Sequence, residues 1–279
     1  MADRDAQRLH DAVLALLPSG HDSPELDRFT ALMRDYPSRG GKRVRGRLVL
    51  ASTAAHGGDV ERALTVAAAL ELFQNWVLVH DDIEDDSEER RGAPALHRSV
   101  GVPIALNVGD AMHVYMWDVL IELRARADFD ADAIRREFLW MIHRTAEGQH
   151  LDLTWVAEGR FDIGEEAYLG MVRRKTAAYT VVSPLRLGAH AAGRAPHPDL
   201  ASIGDRLGAA FQIRDDVLNL LPSEDGAYGK EFAGDLYEGK RTLVLAHALA
   251  HAQPAEATEA IERLRPAREE RTADDVRWL

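Results

Sequence analysis

The sequence predicts an all-α fold, and three observations carry that prediction. Apolar residues, alanine and leucine foremost, recur at helical spacing along nearly the whole chain. Runs of β-branched residues are short, as at Thr180-Val181-Val182, with no alternating strand series and no Asn-Gly hairpin signal. Breaks rich in glycine and proline divide the chain into about eight to ten segments of ordinary helix length.

The elements follow in order. Pro18-Ser19-Gly20 ends the first helical segment, and the stretch from Pro37 to Gly41 ends the second. Gly40-Gly41-Lys42-Arg43-Val44-Arg45 opens the third, with Lys42 and Arg45 three apart and expected on one face. Gly57-Gly58 separates it from the most apolar window, Ala63 to Val79. Glu71, Gln74 and Asn75 lie inside that window, so it reads as a buried helix and not a membrane span. Further breaks fall at Gly92 to Pro94, Gly159 to Gly164, Gly193 to Pro198 and Leu221 to Gly229. None resembles a domain linker, so residues 1–279 are read as a single helical domain. Thr272-Ala273-Asp274-Asp275 looks like a helix start with four residues after it, and a C-terminal helix is expected to be cut short.

Composition sets limits on function. With 279 residues, 46% of them hydrophobic, the chain has ample material for a core. Its net charge of -12 repels nucleic acid, and any phosphate must be bound by local basic clusters. The chain has no cysteine, which excludes disulfides, thiolate metal sites and cysteine nucleophiles. Met1-Ala2-Asp3-Arg4-Asp5 is charged and no apolar signal core follows it, so a cytoplasmic location is expected.

Two acid clusters carry the chemistry. Asp81-Asp82-Ile83-Glu84-Asp85 and Asp215-Asp216-Val217-Leu218-Asn219 each follow an apolar helical stretch. Asp81 and Asp85, four apart, project from one helical face, and Gln74 lies on the same face two turns earlier. Two such faces turned together offer oxygen ligands to a hard cation such as Mg²⁺, which commonly holds phosphates as well. The first run ends abruptly at Arg90-Arg91-Gly92. Glycines before Lys42 allow close approach to an anion, although this is not a Walker loop. Phe211-Gln212-Ile213-Arg214 precedes the second acid pair. Gly229-Lys230, Asp235 and Gly239-Lys240-Arg241-Thr242 follow it, a pattern suited to a phosphate held between metal and ammonium groups.

Taken together, the set resembles the trans-isoprenyl diphosphate synthases, or polyprenyl synthetases. The matching pieces, in family order, are Gly-Gly-Lys-Arg-x-Arg at 40–45 and Asp-Asp-x-x-Asp-x4-Arg-Arg-Gly at 81–92. Gly-Gln-x-x-Asp follows at 148–152, Lys-Thr at 175–176, Phe-Gln-x-x-Asp-Asp at 211–216, and Gly-Lys pairs at 230 and 240. One acid motif alone is weak evidence; six elements in order are strong.

The resemblance implies an isoprenoid synthase-like bundle of about ten helices around a central cavity. It implies a Mg²⁺-dependent, head-to-tail condensation of isopentenyl diphosphate with an allylic diphosphate, in a homodimer with one site per subunit. About three Mg²⁺ ions are implied, with Asp81, Asp85 and Asp215 as main ligands. Asp82, Asp216 and Asp152 would act through water or from behind them. Arg90, Lys175, Lys230 and Lys240 would hold the allylic diphosphate, with Thr176 and Gln212 nearby. Lys42, Arg45, Gln74 and Arg91 would hold isopentenyl diphosphate. Asn219 departs from the pattern, since many members carry a third aspartate there; weaker support for one metal is expected.

Product length rests on residues upstream of the first motif. In the family, bulky side chains there floor the pocket, and Phe73, Trp76 and Val77 occupy that region. Trp76 lies about 7–8 Å along the axis from Asp81, while Val77 is better aligned with it on a helical wheel. Met112, Tyr115 and Met116 are candidates for the facing helix. The expected product is short, farnesyl or geranylgeranyl diphosphate. Alternatives are a longer-chain polyprenyl synthase, a terpene cyclase, and a non-catalytic subunit that modifies a partner synthase. Ordinary core packing is an alternative role for Phe73, Trp76 and Val77.

Overall fold

A computed structural model describes residues 2–123, 130–221 and 231–279. The first helices are α1 (Ala2–Ala15), α2 (Pro24–Ser38), α3 (Val44–Ala55) and α4 (Val60–Glu84). Next come α5 (Leu96–Val100), α6 (Val102–Glu122), α7 (Ala131–Ala157), α8 (Glu165–Val172) and α9 (Ser183–Ala191). The remainder are α10 (Asp199–Asn219), α11 (Gly234–Glu238), α12 (Leu243–His251), α13 (Pro254–Leu264) and α14 (Ala273–Trp278). The all-α expectation is met.

Helix α4 is the axis of the bundle. Apolar residues cover all sides of its middle, so it must be surrounded. Leu70, Leu72, Phe73 and Val79 are buried, against α3 on one side and α6 on the other. Burying a side chain of the size of Phe73 contributes about 1.5–3 kcal/mol. By length and composition α4 is apolar enough to cross a membrane, but here its apolar surface is consumed by the core. Asp59 caps its start by accepting the N–H of Glu61. A smaller apolar cluster, Trp155, Ile163, Tyr168, Met171 and Val172, joins α7 to α8.

Between α8 and α9 the helix does not break. Residues Arg173–Val182 continue it as a π-helical segment, packed between α7 and α10. The wider turn shifts the register of Lys175 and Thr176 relative to α8. Gly148 makes the packing possible: a Cβ there would lie 2.2 Å from the Lys175 nitrogen, so only glycine lets these backbones approach.

Helix α2 ends at Ser38, within the expected break from Pro37 to Gly41. Two local features differ from the sequence expectation. Helix α3 begins only at Val44, after Arg43 in a left-handed conformation (φ 48°). Lys42 therefore precedes the helix and does not share a helical face with Arg45. A short antiparallel pair, β1 (Glu89–Arg90) with β2 (Ala93–Pro94), brackets Arg91 and Gly92, both at positive φ. Arg-Gly supplies the tight turn that Asn-Gly usually signals. The helix start at Thr272 is present: its hydroxyl accepts the N–H of Asp275, whose carboxylate accepts the N–H of Thr272.

Candidate active site

The first acid motif sits at the C-terminal end of α4. Asp85 follows its last turn, donating its N–H to the Asp81 carbonyl at 2.8 Å. Asp81 and Asp85 face one polar cavity, shared with Asn219, Asp235, Glu238 and Lys240. Asp82 points the other way and is fully buried. It accepts the Tyr36 hydroxyl at 2.6 Å and the Arg90 Nε at 2.8 Å, with Arg90 Nη2 on the same carboxylate. Asp82 thereby fixes Arg90, whose Nη2 lies 3.8 Å from Asp81.

The second motif repeats this arrangement on α10. Asp216 is buried and accepts the Tyr168 hydroxyl at 2.5 Å and Gln212 Nε2 at 2.8 Å. Gln212 Oε1 in turn accepts the Thr176 hydroxyl at 2.7 Å. Burial raises the Asp216 pKa against these donors. Asp215, beside it, is half-buried. Asn219 is buried, and its Oδ1 accepts the Asp235 N–H at 3.1 Å, pinning α11 to the end of α10.

Two ammonium groups lie among the carboxylates. Lys175 Nζ is 2.5 Å from Asp152 and 3.7 Å from Asp81. Lys240 Nζ is 2.5 Å from Asp85 and 2.8 Å from Glu238. Burial opposes both charges, but the neighbouring carboxylates outweigh it and raise both lysine pKa values. Burial pushes the Asp85 carboxyl up to about 7, against the pull of Lys240. Gln149 Nε2 bridges Glu84 at 2.6 Å and Asp81 at 3.3 Å.

The donor set fits a hard divalent cation in kind: oxygen ligands, with no histidine or thiolate among the cavity residues. Among the described residues, no three acidic or histidine side chains converge closely enough to hold one in this conformation. Lys175 and Lys240 pair with these carboxylates, and Asp81, Asp85 and Asp215 are the residues that would hold a divalent cation, which would supply positive charge to a bound phosphate.

A second set of basic residues gathers near Glu71 and Asn75, earlier on α4. Lys42 is exposed, whereas Arg45 is buried over the Tyr179 ring, 4.3 Å from its centroid, with Nη2 on Thr180 at 2.8 Å. Arg91 Nη1 donates to the Tyr36 carbonyl at 2.5 Å and to Asn75 at 3.0 Å. Burial, with Arg43 beside it, pushes the Arg91 pKa down to about 10. Arg45 Nε is buried without a hydrogen-bond partner among the described residues, whereas Arg43 Nη1 lies 3.7 Å from the buried Glu71 carboxylate. An orphaned guanidinium donor such as that of Arg45 fits a site that expects an anion. Gln74 is half-buried on α4. Lys230 lies outside the described residues.

Near the proposed pocket floor, Trp76 stacks flat on His113 of α6, with centroids 4.0 Å apart and planes 6° from parallel. Trp117 Nε1 donates to His113 Nε2 at 2.8 Å and locks it. Phe73 is buried edge-on to Trp76 at 5.3 Å, and Val77 packs half-buried against the core. Met112 and Met116 are fully buried and Tyr115 partly so. Sequence reasoning missed Tyr36, Tyr168, Glu238 and His113 as partners, because nothing local marks them: Tyr36 is 46 residues from Asp82.

Residues 27–278 match the model of the polyprenyl synthetase family. The chain is 37% identical over 219 residues to a short chain isoprenyl diphosphate synthase of Methanothermobacter thermautotrophicus, covering 76% of this chain and 64% of that one. It is 31% identical over 249 residues to a geranylfarnesyl diphosphate synthase of Natronomonas pharaonis, covering 89% and 66%. It thus spans just under two thirds of the length of these curated relatives. The fold superposes with a TM-score of 0.85 and 31% identity on geranylgeranyl pyrophosphate synthase from Corynebacterium glutamicum, complexed with isoprenyl diphosphate and magnesium. That match covers 100% of this chain and 85% of the other.

Proposed function

The chain belongs to the polyprenyl synthetase family, and from that premise we propose that it is a trans-prenyltransferase condensing isopentenyl diphosphate with an allylic diphosphate. The observation that carries this is the pair of ammonium groups, Lys175 and Lys240, held against Asp81 and Asp85 of the first acid motif, with Asn219 of the second motif lining the same cavity as Asp81, Asp85 and Lys240. A Mg²⁺-diphosphate is the ligand that satisfies carboxylates and lysines at once. About three ions held by Asp81, Asp85 and Asp215 would neutralise charge on the departing diphosphate.

The chain's own residues divide the remaining work. Lys175, Lys240 and Arg90 bind the allylic diphosphate and stabilise the charge that grows on it as the C–O bond breaks. Thr176 and Gln212 orient Asp216, and Asp152 sets the reach of Lys175. Arg45, Arg91, Lys42 and Gln74 hold isopentenyl diphosphate across α4. The isopentenyl double bond attacks the allylic cation, and a proton is then lost, the departed diphosphate being the base. The apolar wall of Phe73, Trp76 and Val77 excludes water that would quench the cation.

We place the floor of the tail pocket at Trp76, braced by His113, which favours farnesyl or geranylgeranyl diphosphate as product. Exposed Val114 and Ile121, seven residues apart and on one face of α6, offer apolar surface suited to a homodimer. The test is incubation with isopentenyl diphosphate, Mg²⁺ and each allylic primer, with products sized by mass spectrometry. A linear diphosphate of up to four isoprene units is expected from wild type, and longer ones from Trp76→Ala. A cyclic hydrocarbon, or no product with any primer, would refute the assignment; an unchanged product from Trp76→Ala would remove Trp76 as the floor.

A further inference from the structure

Lys240 is held from behind by the C-terminal segment. It follows α11, a single turn of five residues too short to be stable alone. The end of such a helix exposes carbonyls that need donors. Arg271, 7% exposed, supplies them: Nη1 donates to the carbonyls of Leu236, at 2.6 Å, and Tyr237. Its Nη2 donates to the carbonyls of Leu264 at 2.6 Å and Pro266 at 2.7 Å, at the end of α13. One guanidinium therefore caps two helix C-termini and neutralises the negative end of both.

Arg268 grips the same segment from the side. Its Nη2 lies 2.5 Å from Glu231, and its Nη1 lies 3.7 Å from Glu238. Glu238 is in turn 2.8 Å from Lys240 Nζ, which reaches Asp85 at 2.5 Å. A continuous path thus runs from Arg268 and Arg271 to the ammonium group in the acidic cavity. Among the described residues the hydrogen bonds of the Arg271 side chain all run to backbone carbonyls, and it does not line that cavity, so its part is mechanical and not one of direct substrate binding.

We propose that Arg271, assisted by Arg268, is a positioning residue that fixes the reach of Lys240 toward the allylic diphosphate. This rests on the proposed function for the identity of the ligand. The test compares wild type, Arg271→Lys, Lys240→Met and the double variant. Binding of geranyl thiolodiphosphate, an unreactive allylic diphosphate, is measured by calorimetry with Mg²⁺, and the KM of isopentenyl diphosphate is measured in turnover. Each single variant is expected to weaken the analogue about tenfold, with the double variant no weaker than the worse single, because both act through one group. The isopentenyl KM is expected to stay within about twofold of wild type.

Wild-type binding of the analogue by Arg271→Lys, or losses that multiply to about a hundredfold in the double variant, would overturn the proposal. Arg268→Gln serves where Arg271→Lys does not fold, with the same expected coupling to Lys240→Met and the same contrary result. A wild-type protein that binds the analogue but makes no product would sink the reaction assignment and leave this coupling measurable.

Discussion

Two tyrosines define what the second aspartate of each acid pair does. Tyr36 donates to Asp82 and Tyr168 to Asp216, each from a helix distant in sequence. Asp81, the first aspartate of its pair, lines the polar cavity, and the second aspartate of each pair anchors its motif to the core. Asp82 carries the larger load, since Arg90 is also held by it. Asp82→Ala would leave a buried guanidinium without its partner, and a loss of about 3–5 kcal/mol in unfolding free energy is expected. Urea denaturation followed by circular dichroism checks this; a variant as stable as wild type would mean that Arg90 finds another acceptor.

At the scale of elements, the site depends on how closely three helices approach. Gly148 on α7 meets the backbone of the π-helical segment at Lys175. Gly148→Val should push these helices apart, lowering stability by about 1–3 kcal/mol and separating Lys175 from Asp81. Turnover is expected to fall more steeply than the folded fraction, measured by comparing kcat with the thermal melt; a parallel fall would show that the spacing serves folding alone. The helices themselves were legible from apolar spacing, and the Asp81–Asp85 face from a four-residue step. The π-helical stretch was not, since Arg173 to Val182 has ordinary helix formers and the register shift arises from tertiary packing. The turn at Arg91-Gly92 escaped because arginine rarely takes positive φ. Lys42 and Arg45 were expected on one face because the pattern shows where glycines end, not that Arg43 would adopt a left-handed conformation. Tertiary partners such as Tyr36 leave no local trace.

For the molecule as a whole, charge sets the terms of recognition. A net charge of -12 opposes anionic substrates at long range. Recognition must therefore come from cations close enough to escape screening, within about 8–10 Å of the ligand. Arg91 and Arg43 reach Asn75 and Glu71 in the middle of α4, and Arg90, Lys175 and Lys240 lie at its acidic end. On the proposed function, these two groups of cations would serve two diphosphates. The most direct measurement is product formation from isopentenyl and allylic diphosphates with Mg²⁺, with chelator, and with Asp81→Ala and Asp215→Ala. Turnover that needs Mg²⁺, and that falls at least about a hundredfold in each variant, is the expected result. Undiminished turnover in chelator, or in either variant, would contradict a metal-diphosphate held between the two acid motifs.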